Sequence, residues 1–403
     1  MHTVATIALA DRPTDSLGHS SSLGDTPISV CHVSEGAAWA GAEVQLTTLL
    51  RALSKRSDVS VHALLLQDGR LAQELRSSRV DVMVATGEHK RLPIKLLECA
   101  KLLRERDTQI LHSHGYKEST IALSLSLMCN VPHLVRTEHG HPEPYSALRN
   151  PKHWCALTAD RLSAKLSAAQ IVSVSSDLAN FWAQRVNPSR VNVIRNGIDL
   201  DVVKSSFTAA EAKQRLGISS KSFVIGTAAR LETVKRLDLF LATAAYVTQR
   251  IPDVHFILAG EGRQKEFLQS LIFKYGLQHQ ATMVGERQDV FDILRAMDLL
   301  LICSDHEGVP MVMLEAMALQ VPVISRRVGG IPEVIHDGVH GILVTSDSPQ
   351  ELGRACVSLF NDRLLLAELR MAARNEIQEH YSADRNAEQV AGFYNALCGR
   401  QLQ

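Results

Sequence analysis

Leu299-Leu300-Leu301-Ile302-Cys303-Ser304-Asp305-His306-Glu307-Gly308-Val309-Pro310-Met311-Val312-Met313-Leu314-Glu315 is the stretch that decides the architecture. Residues 299–303 form a short apolar run that reads as a buried strand. From Met311 to Leu319 the apolar residues recur at helical spacing, and Pro310 suits the first turn of that helix, where its missing N–H costs nothing. A buried strand that turns through a short loop into a helix is half of a parallel β–α repeat.

The same change of period recurs along the chain. Strands are predicted at 28–34, 61–67, 80–86, 109–113, 133–137, 171–175 and 192–195 in the first half. In the second half they are predicted at 223–227, 255–259, 282–284, 299–303, 321–325 and 341–344. Helical segments such as 43–53 and 237–248 fall between them, which predicts parallel sheets covered on both faces. The pattern occurs twice, with a break near 199–221 that holds a helix-like 209–216 and the turn Gly217-Ile218-Ser219-Ser220.

The expected fold is therefore α/β, with two Rossmann-like, doubly wound parallel-sheet domains facing a central cleft. Their predicted spans are 28–203 and 204–380, and a tail at 381–403 is expected to pack as a helix back on the first domain. Residues 1–27 are rich in Ser, Gly, Asp and Pro toward their end and read as a disordered leader. Ligands of doubly wound sheets bind outside the carboxyl ends of the strands, so each rim could hold one ligand.

A chain of 403 residues is long enough for two to three domains, and 45% hydrophobic content supplies their cores. The formal net charge of zero gives no global support to a nucleic-acid partner. Residues 28–200 nevertheless carry an excess of about five positive charges. That basic first half could approach an anionic membrane or a lipid-linked phosphate, or could simply be a solvated surface. Seven cysteines without paired spacing read as reduced core residues of a cytosolic protein. Thr3 to Ala10 ends in Ala-Leu-Ala like a signal peptide, but no Lys or Arg precedes it and the run is short, so export is not expected. No run reaches the ~18 apolar residues of a membrane span.

The loop-and-helix stretch also carries chemistry. Glu307 falls in the loop at the mouth of the sheet and Glu315 on the helix that follows, whose first amides can hold an anion. A loop carboxylate for sugar hydroxyls, amides for phosphate and a second carboxylate for ribose describe a nucleotide-sugar site. Glutamates eight apart are common, however, and Glu315 alone would be an ordinary solvated helix residue. Arg230 and Lys235, after the first strand of the second half, could bind a diphosphate and stabilise it as a leaving group, or could be charges of a surface loop. Gly36-Ala37-Ala38-Trp39-Ala40-Gly41-Ala42-Glu43 lacks the Gly-x-Gly-x-x-Gly spacing of a dinucleotide fingerprint. Gly41 still permits close backbone approach to an anion.

Two histidine pairs offer a rival chemistry. Strand alternation puts His112 and His114 on one face, and together with His139 and His141 they could hold a metal ion. Such a site would want carboxylate partners, and only Glu138 is adjacent. The favoured reading has no metal: His139, at the end of the fifth strand, lines the cleft and the other histidines are structural.

Taken together, these fragments resemble family 4 of the retaining glycosyltransferases, with the GT-B fold, from about residue 28 to 400. The resemblance is carried by Ala40-Gly41-Ala42-Glu43, His114-Gly115, Glu138-His139-Gly140, Val172-Ser173-Val174-Ser175 and Asn196-Gly197-Ile198-Asp199. It continues through Arg230 with Lys235, Gly260-Glu261-Gly262, Glu307 to Glu315 and Gly329-Gly330-Ile331-Pro332-Glu333. It implies a metal-independent hexosyltransferase without cofactor, taking a UDP- or GDP-hexose to a glycan or lipid-linked acceptor, in bacterial exopolysaccharide or lipopolysaccharide biosynthesis. Localisation would be cytoplasmic, with peripheral contact at the inner membrane as an option and no nucleic-acid partner.

By that resemblance Arg230 and Lys235 would bind the donor diphosphate, with the amides of Met311 and Val312 and the Gly41 loop. Glu315 would hold the ribose hydroxyls. Glu307, with the backbone of Gly308, Val309 and Pro310, would hold the transferred sugar, and His139 would touch it from the other domain. The first domain would take the acceptor, through loops such as 141–168 with Arg149, Lys152, Trp154, Arg161 and Lys165, and contacts near 285–290 would choose the base. Ala40 stands where the family usually has glycine, Cys303 where proline is frequent and Val309 where a larger apolar residue is common. The alternatives are a GT-B-fold nucleotide-sugar epimerase and a non-catalytic nucleotide-sugar-binding module.

Overall fold

The computed structural model describes residues 26–37, 39–85, 92–141, 158, 164 and 167–400. All but the last two residues of the expected leader and most of the loop 141–168 lie outside the described residues.

Strands β1 (Ile28–Ser34), β2 (Val59–Leu65), β3 (Asp81–Val84), β4 (Ile110–Ser113), β5 (His133–Glu138), β6 (Gln170–Ser173) and β7 (Val191–Val193) build the first sheet. Its order is β3-β2-β1-β4-β5-β6-β7, parallel throughout. The second sheet holds β8 (Phe223–Ala228), β9 (Val254–Ala259), β10 (Ala281–Gly285), β11 (Leu299–Ile302), β12 (Val323–Arg326) and β13 (Ile342–Val344). Its order is β10-β9-β8-β11-β12-β13, again parallel. Each order reverses beside its first strand, at β1/β4 and at β8/β11. Those are the switch points where doubly wound sheets open a ligand crevice.

The helices α1 (Gly41–Leu53), α2 (Arg70–Ser77), α3 (Leu92–Glu105), α4 (Tyr116–Cys129) and α5 (Ser176–Ala183) belong to the first half. They are followed by α6 (Ala209–Arg215), α7 (Leu237–Thr248), α8 (Lys265–Lys274), α9 (Val290–Ala296), α10 (Met311–Ala318), α11 (Pro349–Asn361), α12 (Arg363–His380) and α13 (Ala383–Leu397). Strand alternation splits the second core into two faces. Val224, Ile257, Leu300 and Val323 meet Met313, Leu314 and Met317 of α10. Ile225, Phe256, Leu299, Leu301 and Ile324 meet Leu241, Leu352 and Leu366 on the other side.

The last helix returns to the first domain. Val390, Ala391 and Tyr394 of α13 share a core with Leu46 and Leu50 of α1 and with Ile28, Val30 and Ile110 of the sheet. The chain therefore crosses between domains twice, side by side: Ile198 N–H donates to Tyr381 O at 2.8 Å and Ala383 N–H to Ile198 O at 2.8 Å.

Most strand ends differ from the expectation by one or two residues, β2 being shifted by two at both ends, and two boundaries have a local reason. β12 begins at Val323, two residues after the predicted start, because Gln320 takes φ +61° and the Val321 N–H closes back on Ala316 O at 2.8 Å. That left-handed exit finishes α10 and consumes Val321 in the cap. Pro310 lies one residue before α10 instead of in its first turn, with ψ 128° carrying the extended loop into the helix.

Candidate active site

The loops after β8 and β11 meet at the switch point of the second sheet. Glu307 Oε1 accepts from Lys235 Nζ at 2.6 Å and from Ser304 Oγ at 2.6 Å. Next to it Asp305 accepts from Arg236 at 3.1 Å and Arg326 at 2.6 Å, and its N–H donates to Val234 O at 2.9 Å. The two loops are stitched together by charge and by backbone.

A glycine turn holds this loop from behind. Gly329 has φ +52°, and a Cβ there would overlap the carbonyl oxygen of Glu307. The Gly330 N–H donates to Gly308 O at 3.1 Å. Only glycine gives both the left-handed conformation and the space.

Helix α10 then presents its first amides. Those of Met311 and Val312 find no acceptor among the described residues, as first-turn N–H groups do unless something caps them. Val309 and Met311 are buried in the core, so their side chains serve packing and only their backbone can serve a ligand. Glu315 sits one turn beyond Met311 on the same face. It is 6% exposed and no side-chain partner is found for it among the described residues. Burial raises its pKa to about 7.

The first domain closes over these groups. Gly41 opens α1, and a Cβ on it would lie 3.8 Å from the Met311 side chain of the other domain. A Cβ on Gly308 would come within 2.5 Å of the His139 carbonyl oxygen and 2.7 Å of Val174. Asn196 Nδ2 donates to Val309 O at 2.8 Å. Arg230, exposed after β8, is close enough to Glu43 of α1 to oppose the upward pull of burial on that carboxyl. The structure thus brings Gly41, His139, Arg230, Lys235, Glu307 to Val312 and Glu315 to one rim between the sheets.

The histidines divide. His114 Nδ1 lies 3.3 Å from His139 Nε2, while His141 turns away to Asp177 at 2.7 Å. Burial lowers the His139 pKa to about 4, so the ring is neutral. Among the described residues the grouping suited to a metal ion is His32, His112 and His114, which differs from the pairs read in the sequence and includes no carboxylate.

Two contributors are absent from the sequence reading, and a third is there without its role. His32 and Tyr394 join the histidines from β1 and α13, and a fold is needed to bring them there. Glu333 was visible as part of a motif, but its contacts were not. It accepts from Ser176 N–H at 2.6 Å and from Arg195 at 2.8 Å, tying the domains together. At the expected base-contact segment, Arg287 pairs with Asp289 at 2.7 Å.

Comparison with known proteins gives the family. The description "Glycosyltransferase Family 4" matches residues 39–202 and "Glycosyl transferases group 1" matches residues 208–379. The chain belongs to the family 4, group 1 glycosyltransferases. It is an enzyme that transfers sugars.

The UDP-Gal:alpha-D-GlcNAc-diphosphoundecaprenol alpha-1,3-galactosyltransferase of Escherichia coli is 24% identical over 309 residues, 74% of this chain and 78% of that protein. The N-acetyl-alpha-D-glucosaminyl L-malate synthase of Bacillus anthracis is 29% identical over 56% of this chain and 58% of its own length. The lipopolysaccharide core mannosyltransferase LpsB of Rhizobium meliloti is 29% identical over 51% of this chain and 60% of its own. Among solved structures, Anabaena HepE in complex with UDP-glucose superposes with a TM-score of 0.80, at 22% identity over 92% of this chain and all of that one. WaaG, of lipopolysaccharide biosynthesis, gives 0.71 at 16% identity over 90% and 99%. These two establish the GT-B fold.

Proposed function

We propose that this family 4 enzyme is a retaining, metal-independent hexosyltransferase that moves a sugar from a UDP-sugar to a glycan or lipid-linked acceptor in bacterial exopolysaccharide or lipopolysaccharide assembly. One observation carries the reading: Lys235, the open amides of α10 and the buried Glu315, without a side-chain partner among the described residues, converge on one rim opposite Gly41 and His139. A diphosphate would lie against Lys235, Arg230, the Met311 and Val312 amides and the Gly41 loop. Ribose hydroxyls would donate to Glu315. The sugar would lie between Glu307, the backbone of Gly308 to Pro310, and His139.

As the bond from the sugar to the diphosphate breaks, negative charge grows on the leaving oxygen. Fixed cations and amides at that oxygen stabilise the transition state more than the ground state. The acceptor hydroxyl attacks from the face the diphosphate leaves, and the departing phosphate oxygen takes its proton. Configuration is then kept. Arg230 and Lys235 supply the charge that a divalent ion would otherwise bring. UDP over GDP is favoured by the UDP-sugars named for the galactosyltransferase relative and the superposed complex. A lipid-linked acceptor would bring the first domain to the cytoplasmic face of a membrane, and no helix among the described residues is long and apolar enough to cross one.

Isothermal titration with UDP- and GDP-sugars, with and without EDTA, tests the reading. Expected is tight, EDTA-insensitive binding of one UDP-sugar that Lys235→Ala abolishes. Binding that needs a divalent ion, or conversion of the nucleotide sugar without any acceptor, would overturn it.

A further inference from the structure

His139 does not stand alone. Behind it a single file of hydrogen bonds crosses the first domain to the last helix. Thr137 Oγ1 lies 2.7 Å from His112 Nε2, and His112 Nδ1 lies 2.5 Å from the Tyr394 hydroxyl. That hydroxyl is 3.3 Å from His32 Nε2, His32 Nδ1 is 2.9 Å from His114 Nε2, and His114 Nδ1 is 3.3 Å from His139 Nε2. The ring of His114 stacks on those of His32 and His112, which are tilted 32° to each other, with centroids 4.5–5.2 Å apart. No carboxylate hydrogen-bonds any of the four imidazoles among the described residues.

Burial drives the pKa of all four imidazoles down, His112 to about 3, and drives Tyr394 up, so every member is neutral near pH 7. The neighbouring charges that act on them are other imidazoles: His112 and His62 on His32, His139 on His112, and His112, His32 and His139 on His114. A neutral imidazole has one N–H and one bare nitrogen, and a phenol has one O–H. Each link therefore fixes the next, and the file has two complete arrangements, related by reversing every bond. In one, His139 Nδ1 is bare. In the other it carries the proton.

The buried end chooses between them. If Thr137 accepted from His112, its own hydroxyl hydrogen would be left without a described acceptor in a site 8% exposed, which is costly. If Thr137 donates, the sense runs Thr137 O–H to His112 Nε2, His112 Nδ1–H to Tyr394, Tyr394 O–H to His32 Nε2, His32 Nδ1–H to His114 Nε2, and His114 Nδ1–H to His139 Nε2. We propose that this file, from Thr137 through Tyr394 of the C-terminal helix, holds His139 as its Nδ1–H tautomer, so that it meets the bound sugar as a hydrogen-bond donor. Thr137, His112, Tyr394, His32 and His114 are positioning residues acting through His139. This rests on the reading of His139 as the sugar contact.

The test is two-bond proton–nitrogen correlation NMR on the full chain with labelled histidine, free of ligand, with His139→Gln assigning the signal. Expected is protonation of His139 on Nδ1 in the native protein. In Thr137→Val, which removes the donor five links away and keeps the shape, His139 should shift toward the Nε2–H form. Donor-saturated kcat should fall roughly tenfold, the worth of one net hydrogen bond, with little change in KM. Thr137→Ser should restore both, and Tyr394→Phe should also release the tautomer. An Nε2–H His139 in the native protein, or a tautomer that neither variant moves, would overturn the proposal. So would histidine signals that change on adding zinc or removing it with EDTA, since a metal ion would take the same nitrogens. If the tautomer moves as stated but His139→Gln transfers sugar at full rate, the file stands and the sugar-contact reading fails.

Discussion

Glu315 is a carboxyl group that nothing among the described residues neutralises. Its pKa rises from 4.5 to about 7 through burial alone. Between those values the folded chain holds a proton that the unfolded chain has released, so stability falls as pH rises through that window and is lowest above pH 7. The cost there is on the order of 3 kcal/mol at most, from about 1.4 kcal/mol per unit. Glu315→Gln should therefore raise the melting temperature of the ligand-free protein at pH 8 and do little at pH 5. A lower melting temperature at pH 8, by scanning calorimetry, would mean that the native carboxylate has a partner. Ribose hydroxyls want the ionised form. The UDP-sugar donor, whose diphosphate does not titrate in this range, should bind up to about tenfold more tightly per pH unit from pH 5 to 7 and level off above. His139, at about 4, adds nothing in that window. Affinity that is flat or falls across it would remove Glu315 from the ribose. Glu307 makes a complementary case, because it holds Lys235 at 2.6 Å. Glu307→Gln should cut transfer by ~10²-fold or more, as losing a transition-state contact does. Its affinity for UDP itself should hold or rise, since Lys235 is released, and titration with UDP reads the difference.

At the scale of the element, the β11–α10 unit joins a strand and a loop legible in sequence to a backing that is not. Parallel strands covered on both faces read as short apolar runs, which is why 299–303 and its twelve counterparts could be picked out. What periodicity cannot carry is who backs a loop. Lys235 and Glu307 are 72 residues apart, and Gly329 reaches Glu307 from the end of another strand. Gly329 and Gly330 read in the sequence as a motif, and only the fold shows that they exclude a side chain. Gly308→Ala should be more damaging to catalysis than to folding. Its Cβ would press on the His139 carbonyl of the other domain, not on its own core. The expected result is a fall in kcat/KM of at least about tenfold, with each domain still melting cooperatively, since relieving the clash requires the domains to part. Circular dichroism melts and steady-state kinetics on the same preparation check it, and native kinetics would show that the domains are farther apart during turnover.

At the scale of the molecule, the doubled alternation of strand and helix foretold two facing sheets, while nothing in it indicated what holds them together. The answer lies in groups far apart in sequence. Glu333 accepts from the Ser176 amide and hydroxyl at 2.6 and 3.1 Å and from Arg195 at 2.8 and 3.0 Å, and its carbonyl accepts from Tyr381 at 3.0 Å. A carboxylate from the second domain thus caps the positive end of α5 in the first, where the helix dipole favours an anion. The clamp stands beside the Asn196–Val309 contact and both chain crossings, so it governs how far the rims separate. Arg195 is 43% exposed, which discounts its ion pair and leaves the α5 amide as the larger part of the bond. Glu333→Ala should loosen the closed arrangement without unfolding either sheet. Small-angle X-ray scattering should give a larger radius of gyration, and donor KM should rise about tenfold, because a more open resting state must be closed at the expense of binding. Saturating UDP-sugar should bring the scattering curve of the variant back toward the native one. An unchanged radius together with an unchanged KM would mean that the hinge at residues 198 and 381–383 fixes the cleft, leaving Glu333 as one cap among many.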